Sequence, residues 1–198
     1  MATAVPLTRA RRSIRLIAQA GPEPSRTGIW IGLAAITMTF AAFTSAMIVR
    51  SGSAEDWRHF TLPAILYLNA LILAGSSMSL EFSRRKFAAN QTDATRTLRP
   101  LYVTFGLGQL FIAGQYLAFI QLRKQGVYLA SAPSASFFYV LTCIHALHFL
   151  GGISGLSVVV RRLKKRKLTV VTLEAVSRYW HFMTILWLYL LVLLWMRI

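Results

Sequence analysis

Four histidines and one cysteine are the side chains of this sequence best suited to hold a metal ion or a haem. Two of them, His145 and His148, stand three apart in the run Cys143-Ile144-His145-Ala146-Leu147-His148-Phe149-Leu150-Gly151-Gly152-Ile153-Ser154-Gly155. On a helix that spacing puts both imidazoles on one face, which Gly152 and Gly155 continue. The chemistry such a face could support is ligation, with His181 as a third donor: a bis-histidine membrane haem or metal protein. The competing reading is interhelical hydrogen bonding by neutral imidazoles. No HExxH, no paired acids and no cysteine cluster completes a metal site. Packing is therefore the reading adopted, and no catalytic, metal or cofactor-binding residue is assigned to this chain. Gly151 and Gly155 also form a small-xxx-small pair, which lets a second helix come close.

The remaining polar candidates lie in other apolar stretches. Gln109 and Gln115 stand among Gly106, Gly108 and Gly114, and glutamines at membrane depth find partners on neighbouring helices. Asn69 is followed by Ser76, Ser77 and Ser79, again suited to helix contact. Glu81 precedes Arg84 and Arg85, so an ion pair at headgroup level competes with a role in proton handling. No nucleophile–base pair, phosphate-cradling glycine loop or redox cysteine pair is present.

What must position these residues follows from composition. The 198 residues are 56% hydrophobic and only 14% charged, with a mean hydropathy of +0.54. Soluble domains carry about 25% charged residues, so this chain lacks the polar side chains to coat a globule. A crossing helix needs roughly 20 apolar residues, and five stretches meet that need, at about 28–49, 60–82, 100–122, 136–160 and 179–197. Pro100 would open the third and Pro63 would lie one turn into the second, both tolerable near a helix start. A barrel would require short alternating strands. The expected fold is an all-α integral membrane protein, a bundle of five transmembrane helices over 28–198 behind a basic tail over 1–27.

Lys and Arg number 22 against six Asp and Glu, a formal charge of +16. Seventeen of the 22 fall in the tail, the second-to-third loop and the fourth-to-fifth loop. The positive-inside rule then predicts a cytoplasmic N-terminus and a periplasmic C-terminus. The same parity removes nucleic acid as the reason for a pI near 11.3; topology and anionic headgroups account for the cations. Arg84, Arg85, Arg161, Arg162 and Arg178 are the headgroup candidates. On this topology His181 stands near the cytoplasmic end of its helix and His145 toward the outer half of its own, ~10 Å or more apart along the normal. The tail reads as a retained cytoplasmic segment, because the first span is too long for a signal peptide. Trp180 and Trp195 are expected at the two interfaces of the fifth helix.

Three segments carry a family resemblance. The run from Asn69 through Gly75-Ser76-Ser77 to Glu81 resembles the second helix of the short, five-helix bacterial form of cytochrome c oxidase subunit III. Phe137-Phe138-Tyr139 running through His145-Ala146-Leu147-His148 into Gly151-Gly152 is similar to the family's fourth helix. Tyr179-Trp180-His181-Phe182-Met183 with Leu186-Trp187 is similar to its last, and Gly114-Gln115 fits as well. The resemblance implies a non-catalytic accessory subunit of a respiratory haem-copper oxidase in the bacterial inner membrane. It implies packing on subunit I, association with subunit II and other respiratory subunits, and phospholipid held between the helices. Haem and copper would belong to the partner subunits and none to this chain. Two departures stand out: Ile36 lies where family members carry a buried glutamate, and Thr184 where an aspartate or small residue is common. Assembly and lipid packing are therefore expected ahead of direct proton handling.

Overall fold

The computed structural model describes residues 24–53, 55–89 and 94–198, and over these the chain is helical apart from short connections. The helices are α1 (Pro24–Ser53), α2 (Ile65–Ala89), α3 (Ala94–Lys124), α4 (Pro133–Lys164) and α5 (Val170–Arg197). With 25 to 32 residues each, they reach about 38–48 Å at 1.5 Å per residue, more than a hydrocarbon core of ~30 Å. All five are long and apolar enough to cross a membrane. Large apolar side chains face outward on every helix, among them Met38, Leu71, Tyr116, Leu147 and Ile185. A lipid solvent accepts such a surface and water does not. The chain is a multi-pass membrane protein.

The helices differ from the expected spans at their ends, and local chemistry explains most of the differences. α2 begins at Ile65, five residues later than expected, and Pro63 lies ahead of it with its carbonyl accepting from Leu66 N at 3.0 Å. α3 begins six residues earlier, so Pro100 sits inside the helix rather than opening it. A proline there removes one backbone bond, and α2 supplies hydroxyls close by: Ser83 donates to the Thr97 carbonyl at 3.2 Å and Ser79 to that of Pro100 at 2.9 Å. α4 starts on Pro133, a favourable first position. α5 starts at Val170, nine residues earlier than expected, because Thr169 caps it by accepting from Thr172 N. Arg178 consequently belongs to a helix and not to a loop. The expected tail lies outside the described residues up to 23, and its last four residues, 24–27, begin α1.

Two helices stop the same way. After α3, Gly126 takes φ 78°, Val127 N bonds Leu122 O and Gly126 N bonds Arg123 O. After α4, Lys167 N bonds Arg162 O and Arg166 N bonds Leu163 O, with Arg166 at φ 55°. Both are Schellman stops, which favour glycine at the left-handed position; the second uses an arginine.

In cross-section α2, α3, α4 and α5 form a ring in the order α3–α2–α5–α4, closed by α3 against α4. α1 sits outside, in the groove between α4 and α5, and does not touch α2. One stripe of α1 (Leu33, Ile36, Phe40 and Met47) is buried there, and Tyr189 of α5 donates to Thr44 of α1 at 2.9 Å. The connection from α1 to α2 crosses the end of the bundle: Trp57 Nε1 donates to Arg197 O at 2.9 Å, and Ser134 to Arg58 O at 2.5 Å.

Candidate functional site

Four polar side chains, one from each ring helix, gather around Phe111 in the bundle interior. Asn69 of α2 donates to the Phe111 carbonyl at 3.4 Å. Gln115 lies one turn along from Phe111 on the same face of α3 and is buried. His145 of α4 is fully buried and ringed by Phe40, Phe111, Phe149 and Trp187, with centroids 5.1–6.4 Å away. Trp187 of α5 packs edge-on against Phe111. Among the described residues, neither ring nitrogen of His145, neither polar atom of the Gln115 amide, nor Trp187 Nε1 has a hydrogen-bond partner. Gln109, six residues before Gln115, is exposed on the outer face of α3.

Glycine decides how closely the helices approach this centre. A Cβ on Gly114 would overlap the amide of Asn69, whose Cγ would stand 3.0 Å away. One on Gly108 would meet Trp180 at 3.0 Å. On α4 the tightest glycine is Gly152, 3.2 Å from the Tyr179 ring, while Gly151 and Gly155 meet Tyr179 and Val176 at 3.5 Å. The face that carries the two histidines thus packs on α5. Tyr179 closes that contact by donating to the His148 carbonyl at 2.8 Å. His148 itself is half-buried, with Nδ1 2.8 Å from Ile144 O in its own helix.

Trp180 is a correction. Expected as an interfacial anchor, it is completely buried and its indole N–H donates to Ser76 Oγ at 3.0 Å. Trp195, by contrast, is exposed. The sequence reading missed Trp180 because an interfacial tryptophan and a core tryptophan are the same residue type at a helix end. The signal that could have found it is Gly108, a notch in α3 that a neighbouring ring can fill.

A second polar cluster lies toward the other end of α2. Glu81 accepts from Arg84 Nε at 2.8 Å and Nη2 at 2.7 Å, a bidentate pair, and from Arg85 Nε at 2.9 Å. His181 Nε2 stands 3.7 Å from Glu81 and 3.1 Å from Ser177 Oγ, while Nδ1 bonds Ser77 Oγ. Ser77, His181 and Glu81 form a hydroxyl–imidazole–carboxylate line, yet the carboxylate is held by two guanidiniums and the imidazole by two serines. The arrangement fixes α2 to α5. Arg178 pairs with Glu174 at 3.3 Å, Arg162 donates to Thr172 at 3.1 Å, and Arg161 is exposed.

The three histidines proposed as donors thus fall into two settings. His145 and His148 both border Phe40, whereas His181 belongs to the Glu81 cluster. No group of three His, Cys, Asp or Glu side chains placed to hold a metal occurs among the described residues. The enclosing rings also leave His145 no approach for a haem.

Residues 32–197 match the family model described as cytochrome c oxidase subunit III. The chain belongs to that family. Among its relatives, cytochrome c oxidase subunit 3 of Corynebacterium diphtheriae is 34% identical over 137 residues, 68% of this chain and 65% of that protein. A probable cytochrome c oxidase subunit 3 of Nocardia farcinica is 29% identical over 175 residues, 84% and 85% of the two chains. Cytochrome c oxidase subunit 3 of Thermostichus vulcanus is 28% identical over 183 residues, 87% of each. As a subunit III, the chain is related to proteins of an oxidase assembly, and the bis-histidine alternative finds no support in its geometry. The family match begins within α1 and takes in the four helices that follow.

Proposed function

We propose that this subunit III is the non-catalytic accessory subunit of a bacterial respiratory haem-copper oxidase, packing on subunit I and supporting assembly, lipid retention and the stability of proton uptake. The single observation that carries this reading is the family match across the five helices. The polar chemistry supports it: the Glu81–His181–Ser77 cluster, the Trp180–Ser76 bond and the Tyr179–His148 bond all join helix to helix. Ile36 is buried, so the position where relatives of the resembled form hold a glutamate is apolar here. That supports reading assembly and lipid packing ahead of direct proton handling. Asn69, Glu81, Gln109, Gln115, His145, His148, Gly151, Gly155 and His181 are read as packing or polar-contact residues, and Arg84, Arg85, Arg161, Arg162 and Arg178 as headgroup contacts.

The charge distribution supports a cytoplasmic N-terminal side and a periplasmic end of α5 in the bacterial inner membrane. Haem and copper would reside in the partner subunits, subunit I and subunit II. Affinity purification of the tagged chain from membranes in mild detergent tests the reading. Larger haem- and copper-bearing chains are expected to co-purify; a chain purifying alone with its own Soret band would overturn it.

A further inference from the structure

We infer that the groove between α3 and α4, at the end of the bundle beside residues 125–132, is a binding site for one anionic phospholipid. The groove encloses about 780 Å³ and is lined by Phe119, Arg123, Tyr128, Tyr139, Val140 and Cys143. It sharpens the lipid-retaining part of the proposed function and rests on that reading only in placing α3 and α4 across a bilayer.

Polarity within the groove runs as it does within a phospholipid. Arg123 stands in the last turn of α3, at the rim. Phe119 is one turn deeper on α3, and on α4 Cys143 is one turn deeper than Tyr139. The wall is therefore cationic at the membrane boundary and apolar below it. Arg123 and its neighbour Lys124 are exposed, and no carboxylate among the described residues pairs with either. A guanidinium at headgroup level that touches the Tyr139 hydroxyl but no carboxylate keeps its charge for a phosphate oxygen, which it can bind bidentately. The outer wall is fixed in place: Tyr139 donates to Val127 O at 2.9 Å, Ser136 to Leu129 O at 2.6 Å, and Tyr128 N to Ser131 Oγ at 3.2 Å.

Two other cavities show by contrast what this groove has. The one beside Met78 and His181, about 320 Å³, contains Glu81, which repels a phosphate and already occupies Arg85. The one lined by Ile29, Gly151, Gly155 and Tyr179 has the same volume and no cation in its wall. Among these three, the α3–α4 groove alone joins a cation without a carboxylate partner to an apolar channel.

Cys143 reports on occupancy, being the one cysteine of the chain, exposed, and part of the groove wall. The test uses the whole complex, purified in mild detergent, with N-ethylmaleimide alkylation of Cys143 measured by mass spectrometry before and after delipidation. Alkylation is expected to rise several-fold on delipidation and to fall again when phosphatidylglycerol is restored. Phosphatidylcholine should protect less well, and Arg123→Gln should abolish that difference. Val140→Trp, which fills the channel, should reduce the phospholipid retained per complex. Three results would each overturn the site: alkylation indifferent to lipid, protection by inorganic phosphate alone, or protection that persists after delipidation because a protein segment covers the groove. The unmodified complex decides the matter even where a variant does not assemble. Loss of co-purifying subunits, by contrast, would count against the accessory-subunit reading and not against the groove.

Discussion

Gly114 of α3 lies directly under the side-chain amide of Asn69 on α2, so that the amide occupies the space a Cβ would take. The contact joins two helices 45 positions apart in sequence, and Asn69 is completely buried. Its amide nitrogen is already committed to Phe111 O, so the side chain cannot swing away without loss. Gly114→Ala is therefore expected to destabilise the subunit by about 1–3 kcal/mol, the usual cost of overpacking. Gly106→Ala, where nothing lies within 4 Å, serves as the neutral control. Thermal release of the subunit from the purified complex measures both, and equal midpoints for the two variants would refute the contact.

The Trp180–Ser76 bond crosses from α5 to α2 between two buried groups. Trp180→Phe removes the donor, and Ser76→Ala the acceptor. Each single variant is expected to cost about 1 kcal/mol through the lost bond, more where packing also suffers. The double variant should cost less than the sum, because the partners share one interaction. Strict additivity in a double-mutant cycle would show that the bond contributes nothing.

On α4 the three glycines are expected to separate by size of the substituent. Alanine at Gly151 or Gly155 meets ordinary van der Waals distances of 3.5 Å and should be tolerated. Leucine at either position drives into Tyr179 or Val176 and should loosen α4 from α5, lowering the amount of this chain recovered with the complex. Gly152, at 3.2 Å from the Tyr179 ring, should respond even to alanine. Full recovery of both leucine variants would remove the packing role of this face.

His148→Ala tests the histidines. The His148 ring bonds its own helix at Ile144 O, and it is the main-chain carbonyl of His148 that receives Tyr179. The haem spectrum of the intact complex is expected to stay unchanged in the variant. Disappearance of a haem band would return this residue to the list of ligands.

Arg166 offers two readouts. Its left-handed backbone costs roughly 1–2 kcal/mol relative to glycine, so Arg166→Gly should stabilise the α4 stop. Arg166→Cys, in a Cys143→Ser background, should resist a membrane-impermeant maleimide applied to intact spheroplasts and react after lysis. Labelling from outside would reverse the proposed orientation.

Much of the fold was legible along the chain because hydropathy is a sum over neighbours in sequence. Five runs of about twenty apolar residues require five helices in a bilayer whatever they pack against, and the family emerged from residues such as Asn69, His145 and Trp180 in order. The Glu81–Arg84–Arg85 cluster was readable too, since i, i+3 and i+4 partners share a helix face.

Which face each helix turns inward was decided only in three dimensions. Nothing local distinguishes Gln115, buried against the ring of helices, from Gln109, exposed six residues earlier. The burial of Trp180 depends on the notch at Gly108 in another helix, and the seat of α1 between α4 and α5 on surfaces far from it in sequence. Helix ends followed the same division: Thr169 and Pro133 set them by short-range capping, while Pro100 was carried into α3 beside the hydroxyls of Ser79 and Ser83 from α2. In lipid, apolar length is rewarded without reference to any partner, but a polar or small side chain acquires its role only from the atoms that another helix brings against it.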